Sequence, residues 1–343
     1  MSIRRKHTLL GVGVILWMLM GAFPPQLSAQ TCLTGSCRDG KGKVEYRDGS
    51  IYHGTFHAAK RHGSGTYRYP NGDYYVGMWV HDQMQGEGKY VYHNGDIYEG
   101  SYKKGMMHGF GTFNFEDGSL YKGNWEYDQR KGQGTWIKPD GTEMTGIWTN
   151  GKLKGTGKLV LPDGVYEGEF ENSKRHGHGK FVGTSGNIYD GEWATGIRSG
   201  TGKLQYGNGD IYDGMWKNNK PEGQGVYLSA TGNRYEGNFQ QGKFHGKGHI
   251  TYEIGDTYKG EWHQNKKHGQ GTYVYSDGSR YEGAWYMNKR HGEGTYVYAD
   301  GSIYEGEFHS GRLHGNGVYK AENGDVKEGR FQYGRYVDSQ KNK

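Results

Sequence analysis

A tyrosine recurs every 23 residues through most of this chain of 343 residues, and no other feature limits the fold as much. The series has Met144 in one tyrosine place and one unit of 22 residues, and twelve units fill residues 52–326. Its members, the repeat tyrosines, are Tyr52, Tyr75, Tyr98, Tyr121, Tyr166, Tyr189, Tyr212, Tyr235, Tyr258, Tyr281 and Tyr304. Such a period is typical of proteins built by stacking one structural unit on the next.

Each unit also has fixed glycine and aromatic places. A glycine follows two residues after every repeat tyrosine place, and an aromatic residue, the repeat aromatic, follows two residues later. The repeat aromatics are Phe56, Trp79, Tyr102, Trp125, Trp148, Phe170, Trp193, Trp216, Phe239, Trp262, Trp285 and Phe308. The second half of each unit carries a Gly-x-Gly pair and then further apolar residues two apart. Spacings of two place these residues on one face of an extended strand, so the period indicates strands rather than helices.

Asp-Gly and Asn-Gly steps such as Asp300-Gly301 separate these runs and are typical of tight turns between antiparallel strands. We therefore predict an all-β fold, an elongated single-layer antiparallel β-meander, or solenoid-like ribbon, of about twelve 23-residue β-hairpin repeats. The chain contains 64 glycines, and the missing side chains would leave slots into which neighbouring rings lie flat. Only 32% of its residues are hydrophobic, which is too few for the core of an ordinary α/β enzyme.

Units such as Tyr281-Glu282-Gly283-Ala284-Trp285 followed by His291-Gly292-Glu293-Gly294 resemble MORN repeats (membrane occupation and recognition nexus), and the resemblance covers 52–326 without a gap. In better-known relatives, such arrays stand beside catalytic domains, including lipid kinases and a lysine methyltransferase. Here only short segments lie outside the repeats, so we expect no enzyme activity and no cofactor. Residues 30–51 are expected to form a disulfide loop and an N-terminal half-repeat cap, and 327–343 a C-terminal partial repeat and tail.

The amino terminus has the pattern of an export signal. Arg4, Arg5 and Lys6 precede an apolar run of about 16 residues, which ends before two prolines and the segment Leu27-Ser28-Ala29. The run is short for a membrane span. We expect residues 1–29 to be cleaved after Ala29 and the protein to be periplasmic, envelope-associated or extracellular. An uncleaved anchor is the alternative, and a lipid anchor on Cys32 is disfavoured by the residues before it.

Cys32 and Cys37 are the only two cysteines in the chain. In an exported protein, two cysteines this close in sequence favour a disulfide that closes a small loop. A metal or redox pair would need a Cys-x-x-Cys spacing or a second pair, and the chain has neither. Two free thiols remain the other alternative.

The Gly-x-Gly pairs and the histidines that precede them could suggest a nucleotide site and a metal site, but we expect neither. The Gly-x-Gly pairs precede no helix, so they lack the helix N-terminus that holds a phosphate in nucleotide-binding folds. Seven histidines precede the first glycine of that pair, namely His62, His108, His176, His245, His268, His291 and His314. Equivalent places in successive hairpins should lie about 9.6 Å apart, which is too wide for a shared metal. The sequence therefore predicts a structural role for these histidines at the hairpin turn and no metal site.

Basic residues precede four of these histidines. They predict a basic and histidine-rich rim made of Lys60, Arg61, His62, Lys174, Arg175, His176, Lys266, Lys267, His268, Lys289, Arg290 and His291. A solvated surface is the simpler interpretation, and an anionic partner such as a lipid headgroup or an envelope polymer is the sharper one. The formal charge of +6 falls by three without the leader, which gives no reason to expect nucleic acid.

Two functional hypotheses follow from these features. The first is a non-enzymatic exported scaffold whose aromatic face binds a protein partner or a second copy, as a homodimer. The second is a protein that binds membranes, anionic lipid or envelope polymer through the basic rim, and a carbohydrate-binding variant is a third, weaker possibility. No Ser-His-Asp set or carboxylate pair stands out from the repeat, so we predict no catalytic, metal or cofactor residues.

Overall fold

The structure of this protein is a computed structural model that describes residues 30–337. The predicted signal segment, residues 1–29, and the last residues of the predicted tail, 338–343, lie outside the described residues. The chain divides into two compact units, with the boundary between His93 and Asn94.

All regular elements of residues 30–337 are β-strands. The first unit contains β1 (Thr31–Gly35), β2 (Gly40–Glu45), β3 (Ile51–His57), β4 (Lys60–Arg68), β5 (Tyr74–Val80) and β6 (Gln83–Val91). The second unit contains β7 (Ile97–Lys103), β8 (Met106–Asn114), β9 (Leu120–Glu126), β10 (Gln129–Ile137), β11 (Glu143–Thr149), β12 (Lys152–Leu161), β13 (Gly164–Glu171), β14 (Lys174–Gly183), β15 (Ile188–Ala194), β16 (Ile197–Gln205), β17 (Ile211–Lys217), β18 (Lys220–Leu228), β19 (Arg234–Gln240), β20 (Lys243–Thr251), β21 (Thr257–His263), β22 (Lys266–Val274), β23 (Arg280–Tyr286), β24 (Lys289–Val297), β25 (Ile303–His309), β26 (Arg312–Lys320), β27 (Val326–Gln332) and β28 (Arg335–Val337).

Within each unit, every strand pairs antiparallel with the strand that follows it in the chain. This order is a meander in one layer, because no helix or second sheet covers either face among the described residues. The predicted all-β antiparallel meander of hairpin repeats is confirmed. The half-repeats at the two ends raise the number of strands from the expected 24 or so to 28.

Two kinds of turn alternate along the sheet. The turn inside each hairpin has two residues with positive φ, such as Met287 at 51° and Asn288 at 70°, which fits the twist of paired strands. Most turns between hairpins contain the predicted Asp-Gly or Asn-Gly step. There the Asp300 carboxylate accepts a hydrogen bond from the Ser302 backbone N–H at 2.8 Å. The Asp-Gly steps at these turns therefore connect one hairpin to the next, while the turn inside each hairpin has a different sequence.

A bulge follows each hairpin turn. In the hairpin of β23 and β24, Gly283 pairs with Gly294 and Trp285 pairs with Arg290. One residue separates the paired positions on β23 and three separate them on β24, so β24 carries a bulge with two extra residues. Gly292, in the middle of the bulge, has a φ of 63°, a conformation that favours glycine. The two glycines of each Gly-x-Gly pair therefore have different roles, the first in the bulge and the second in the ladder.

The core lies on one face of this single layer. All eleven repeat tyrosines are at most 1% exposed, and the repeat aromatics are at most 7% exposed. Each repeat tyrosine lays its ring along the sheet, over the glycines of its own hairpin. A single-layer sheet can bury aromatic side chains in this way because the paired glycines remove the side chains that would otherwise stand beneath the rings.

Candidate functional site

The repeat tyrosines and repeat aromatics pack edge to face along the sheet. The ring centroid of Tyr281 is 5.2 Å from that of Trp285 in its own hairpin and 4.9 Å from that of Phe308 in the next, with interplanar angles of 85° and 77°. The same contacts recur around Tyr258 and Tyr304, so each of these tyrosines joins two successive hairpins. Edge-to-face pairs at this distance stabilise the fold by more than the burial of their apolar area alone would give.

The polar atoms of the Tyr281 and Trp285 rings are satisfied within the sheet. The Tyr281 hydroxyl donates to the Ala284 backbone oxygen at 2.8 Å, and the Trp285 indole N–H donates to the Gly271 oxygen at 3.1 Å. Burial raises the pKa of Tyr52 and of Tyr121 to about 12. The residues predicted to present an aromatic face are therefore mostly core, and their rings have little surface left for a partner.

The unit that lacks a repeat tyrosine fills its slot with another residue. Leu153 on β12 is fully buried, and its Cδ1 atom would lie 2.8 Å from a Cβ added at Gly146. The aliphatic side chain takes the space over the glycine that a tyrosine ring occupies elsewhere. Met144 therefore interrupts the aromatic series without leaving the sheet uncovered.

A series of cations, which we call the stacked cations, lies among these rings. They are Arg61, Arg130, Arg175, Arg198, Lys267 and Arg290, and each lies opposite a repeat aromatic in the hairpin. The Arg290 guanidinium carbon is 4.7 Å from the Tyr296 ring centroid, and its Nη2 donates to the Gly311 backbone oxygen at 2.8 Å. Burial lowers the pKa of Arg130 to about 10 and that of Lys267 to about 8. The stacked cations therefore link successive hairpins, because each one contacts aromatic rings through cation–π interactions.

The structure divides the predicted basic rim between the two faces. Arg61, Arg175, Lys267 and Arg290 belong to the stacked cations. The first residue of each basic pair is exposed where the hairpin turn meets its second strand, at Lys60, Lys174, Lys266 and Lys289. The half-exposed histidines of the rim, His62, His176, His268 and His291, lie in the bulges. About half of the predicted basic charges are therefore directed into the aromatic face rather than into solvent.

A second line of rings on the aromatic face was not among the predicted site residues. This tyrosine row consists of Tyr252, Tyr273, Tyr275, Tyr296, Tyr298 and Tyr319. Its successive ring centroids are 6.1, 4.4, 5.9, 4.5 and 6.0 Å apart. All six side chains are half-buried, so each shows part of its ring to solvent. Alternation by two along β22, β24 and β26 was the sequence signal that could have identified the row.

Hydrogen bonds hold part of the tyrosine row in place. The Tyr273 hydroxyl donates to the buried Asp256 carboxylate at 2.6 Å, and the Tyr296 hydroxyl donates to the Ser279 hydroxyl at 3.1 Å. Asp256 also accepts the Ser276 backbone N–H at 2.8 Å, which ties it to the following turn. The hydrogen bond to Tyr273 lowers the pKa of Asp256, so the carboxylate is ionised at neutral pH. These rings are therefore fixed before any partner arrives.

The first unit carries the N-terminal disulfide. Cys32 and Cys37 form a disulfide bond, which closes the loop that joins β1 to β2. β1 itself is exposed along its whole length and pairs only with β2 among the strands of its unit. The disulfide therefore closes the loop next to β1, the first strand of the first unit. Across residues 30–337, the structure contains no helix long and apolar enough to cross a membrane.

Comparisons with known proteins agree with the repeat pattern. The model of the MORN repeat matches twelve consecutive segments, from residues 52–74 to residues 304–326. No curated protein sequence matches the chain. Among solved structures, the TCP10 domain of Danio rerio CPAP in complex with a STIL peptide has 14% identity and a TM-score of 0.22, covering 88% of this chain and 98% of that one.

The SAS-4 TCP domain of Drosophila melanogaster, in complex with a proline-rich motif of Ana2, has 15% identity and a TM-score of 0.16, covering 63% of this chain and 86% of that one. Neither structural likeness is strong enough to support an inference about this chain. The match to the repeat model extends over most of the residues and follows the strands unit by unit. This chain belongs to the MORN repeat family.

Proposed function

We propose that this protein is a non-enzymatic exported scaffold and that its tyrosine row binds a protein partner or a second copy of the chain. MORN repeats commonly mediate interactions with proteins or membranes. Binding to a protein is favoured over binding to a membrane because the row is a continuous line of half-exposed rings in the second unit.

Tyrosine rings that are already fixed are favourable contacts for a protein. A tyrosine buries a large apolar area on binding and loses little conformational entropy when its rotamer is already set. Asp256 and Ser279 set two of the rotamers through the hydroxyls of Tyr273 and Tyr296. The repeat tyrosines beneath contribute rigidity rather than contact, since they are buried.

Site-specific crosslinking tests the proposed face. A photoreactive amino acid at Tyr298, on the tyrosine row, should give a covalent adduct with one discrete protein in the producing cells. The same group at Met215, which is 48% exposed on the opposite face of the sheet, is the control. Adducts from Met215 alone, or from neither position, would refute the tyrosine row as the binding face.

Analytical ultracentrifugation separates the two kinds of partner. If the adduct is a second copy, the purified chain should sediment as a dimer at high concentration, and Tyr275→Ser with Tyr298→Ser should return it to a monomer. If the chain is a monomer at all concentrations, the partner of the tyrosine row is a different protein. Sequencing the amino terminus of the protein from its native source would test export, since cleavage after Ala29 leaves Gln30 as the first residue.

Binding to anionic lipid or envelope polymer through the rim is the alternative function. The exposed lysines and arginines of the rim are only Lys60, Lys174, Lys266 and Lys289, because the basic residue after each of them stacks within the aromatic face. Co-sedimentation with anionic and neutral vesicles at low and high salt distinguishes the two functions. Salt-sensitive binding to anionic vesicles that is lost on Lys266→Ala with Lys289→Ala would favour the alternative.

A further inference from the structure

Two histidines stand directly opposite each other on the sheet face that carries no repeat tyrosines. His291 on β24 and His309 on β25 lie one residue beyond the paired Gly292 and Phe308. Their ring centroids are 5.2 Å apart, and their planes meet at 52°. His291 is half-buried in the bulge, and His309 is exposed. Both imidazoles are therefore accessible from the same side of the sheet.

This separation suits a shared metal ion. With each Zn–N bond at about 2.1 Å and a tetrahedral angle between the bonds, two coordinating imidazoles have ring centroids about 5 Å apart. Cross-strand neighbours on a pleated sheet also project in the same direction, so small rotations about the side-chain bonds can bring two ring nitrogens onto one ion. The backbone therefore already provides the spacing that a two-histidine site needs.

Two carboxylates lie beside this histidine pair. Glu293 and Glu307 are paired across the same two strands, two residues from His291 and His309 respectively. Like charges placed opposite each other on neighbouring strands destabilise a sheet. Glu307 is engaged with the Asn316 backbone N–H at 3.0 Å, and Glu293 is exposed. A divalent cation held near both carboxylates would relieve their repulsion.

The histidines that precede the Gly-x-Gly pairs in successive hairpins are expected to lie too far apart to share a metal ion. His309, which follows a repeat aromatic instead, lies between two of them, His291 and His314. No three histidine, cysteine or acidic side chains already converge on one point in residues 30–337. An ion would therefore have two imidazole ligands, with water or a nearby carboxylate completing its shell.

We propose that His291 and His309 bind a divalent transition-metal ion, with Glu293 and Glu307 supplying negative charge beside it. Imidazole ligands favour Zn²⁺, Ni²⁺ and Cu²⁺ over Mg²⁺ and Ca²⁺, which prefer oxygen. This site lies on the opposite face from the tyrosine row, so it is an addition to the proposed function and does not depend on it.

Among the other neighbouring histidines, one cross-strand pair has the same spacing of ring centroids and serves as an internal comparison. His245 and His263 also face each other across neighbouring strands, with ring centroids 5.2 Å apart and planes at 54°. Lys247 is paired with Glu261 at the place where the first site has two glutamates. An ammonium group beside the pair opposes cation binding, so this second pair should bind the same ion more weakly.

Calorimetric titration of the purified, chelator-treated chain with Zn²⁺ tests the proposal. We expect His309→Gln to lower the number of bound Zn²⁺ ions by one per chain. We expect Glu293→Gln to lower the affinity for that ion severalfold. The matched control is His249→Gln, because His249 is exposed on β20 but stands opposite Lys259 rather than a second imidazole. Co²⁺ in place of Zn²⁺ should give the visible absorption of a tetrahedral ion, and His309→Gln should abolish it.

The variants are informative because all the replaced side chains are exposed, namely His249, His263, Glu293 and His309. Circular dichroism should therefore show an unchanged β-sheet. No Zn²⁺ binding to the unaltered chain would overturn the proposal. So would an identical titration of His309→Gln and the unaltered chain, or an equal loss on His249→Gln. Removal of an ion by His263→Gln but not by His309→Gln would place the site at the second pair and refute the role given to the glutamates.

Discussion

The ring of Tyr281 lies directly on Gly294, and its hydroxyl oxygen would be 2.5 Å from a Cβ atom added there. The Tyr281 ring is fully buried and its hydroxyl is bonded to a backbone oxygen, so it has no room to move away. The same relationship recurs in every hairpin that has a repeat tyrosine. Glycine at this place therefore creates the core of a sheet that has only one layer.

We expect Gly294→Ala to lower the free energy of unfolding by about 1–3 kcal/mol, because the methyl group must displace the ring or the strand. Urea denaturation followed by tyrosine and tryptophan fluorescence measures the effect. Combining it with Tyr281→Met, which introduces the residue that occupies the tyrosine place at Met144, should make the two losses less than additive. Full additivity would show that the glycine is needed for another reason.

Arg290→Ala should lower the free energy of unfolding by about 1–2 kcal/mol, since it removes the stacking on Tyr296 and the hydrogen bond to the Gly311 oxygen. The neighbouring Lys289→Ala is the control and should change stability by less than about 0.5 kcal/mol, because its side chain is exposed. Both are measured by the same denaturation. Equal effects of the two variants would contradict the division of the rim between the two faces.

Stability should depend on the titration of Lys267. Burial among the rings lowers its pKa in the folded chain from 10.5 to about 8. Between these pH values the unfolded chain holds the proton and the folded chain has released it, so stability from this group rises with pH.

The test compares the unaltered chain with Lys267→Met by thermal denaturation from pH 7 to 10. The unaltered chain should gain stability relative to the variant as the pH rises through 8. Lys266→Met, at an exposed position, should show no such pH-dependent difference. A constant difference between the unaltered chain and Lys267→Met would mean that the ammonium group is not desolvated.

The hairpin turn at Ala58 and Ala59 is predicted to store strain. Both alanines have positive φ, 48° and 58°, where a Cβ atom is unfavourable. Ala59→Gly should raise the free energy of unfolding by about 0.5–1 kcal/mol, as the strain removed exceeds the entropy that glycine adds to the unfolded chain. Ala284→Gly, within strand β23, should have the opposite sign in the same denaturation. A loss of stability in both variants would show that the turn is not strained.

The spacing of two in Tyr281-x-Gly283-x-Trp285 predicted both the strands and the face on which the rings lie. These predictions succeed because side-chain alternation along a strand is a local property of the backbone. The same alternation placed Arg290 on the ring face, two residues before Gly292, but its grouping with Lys289 and His291 suggested a solvent-exposed rim. The alternation along the strand therefore already separates Arg290 from Lys289 and His291 in the sequence.

The sequence by itself determined the repeat, the strands and the places that must be glycine. Only the tertiary structure decided which side chains meet across strands, such as His291 with His309, or Tyr281 with the next unit's Phe308. These contacts depend on the register, which the two-residue turn and the bulge at Gly292 fix together. A shift of one residue would exchange the two faces of a strand, and composition and period alone do not exclude such a shift.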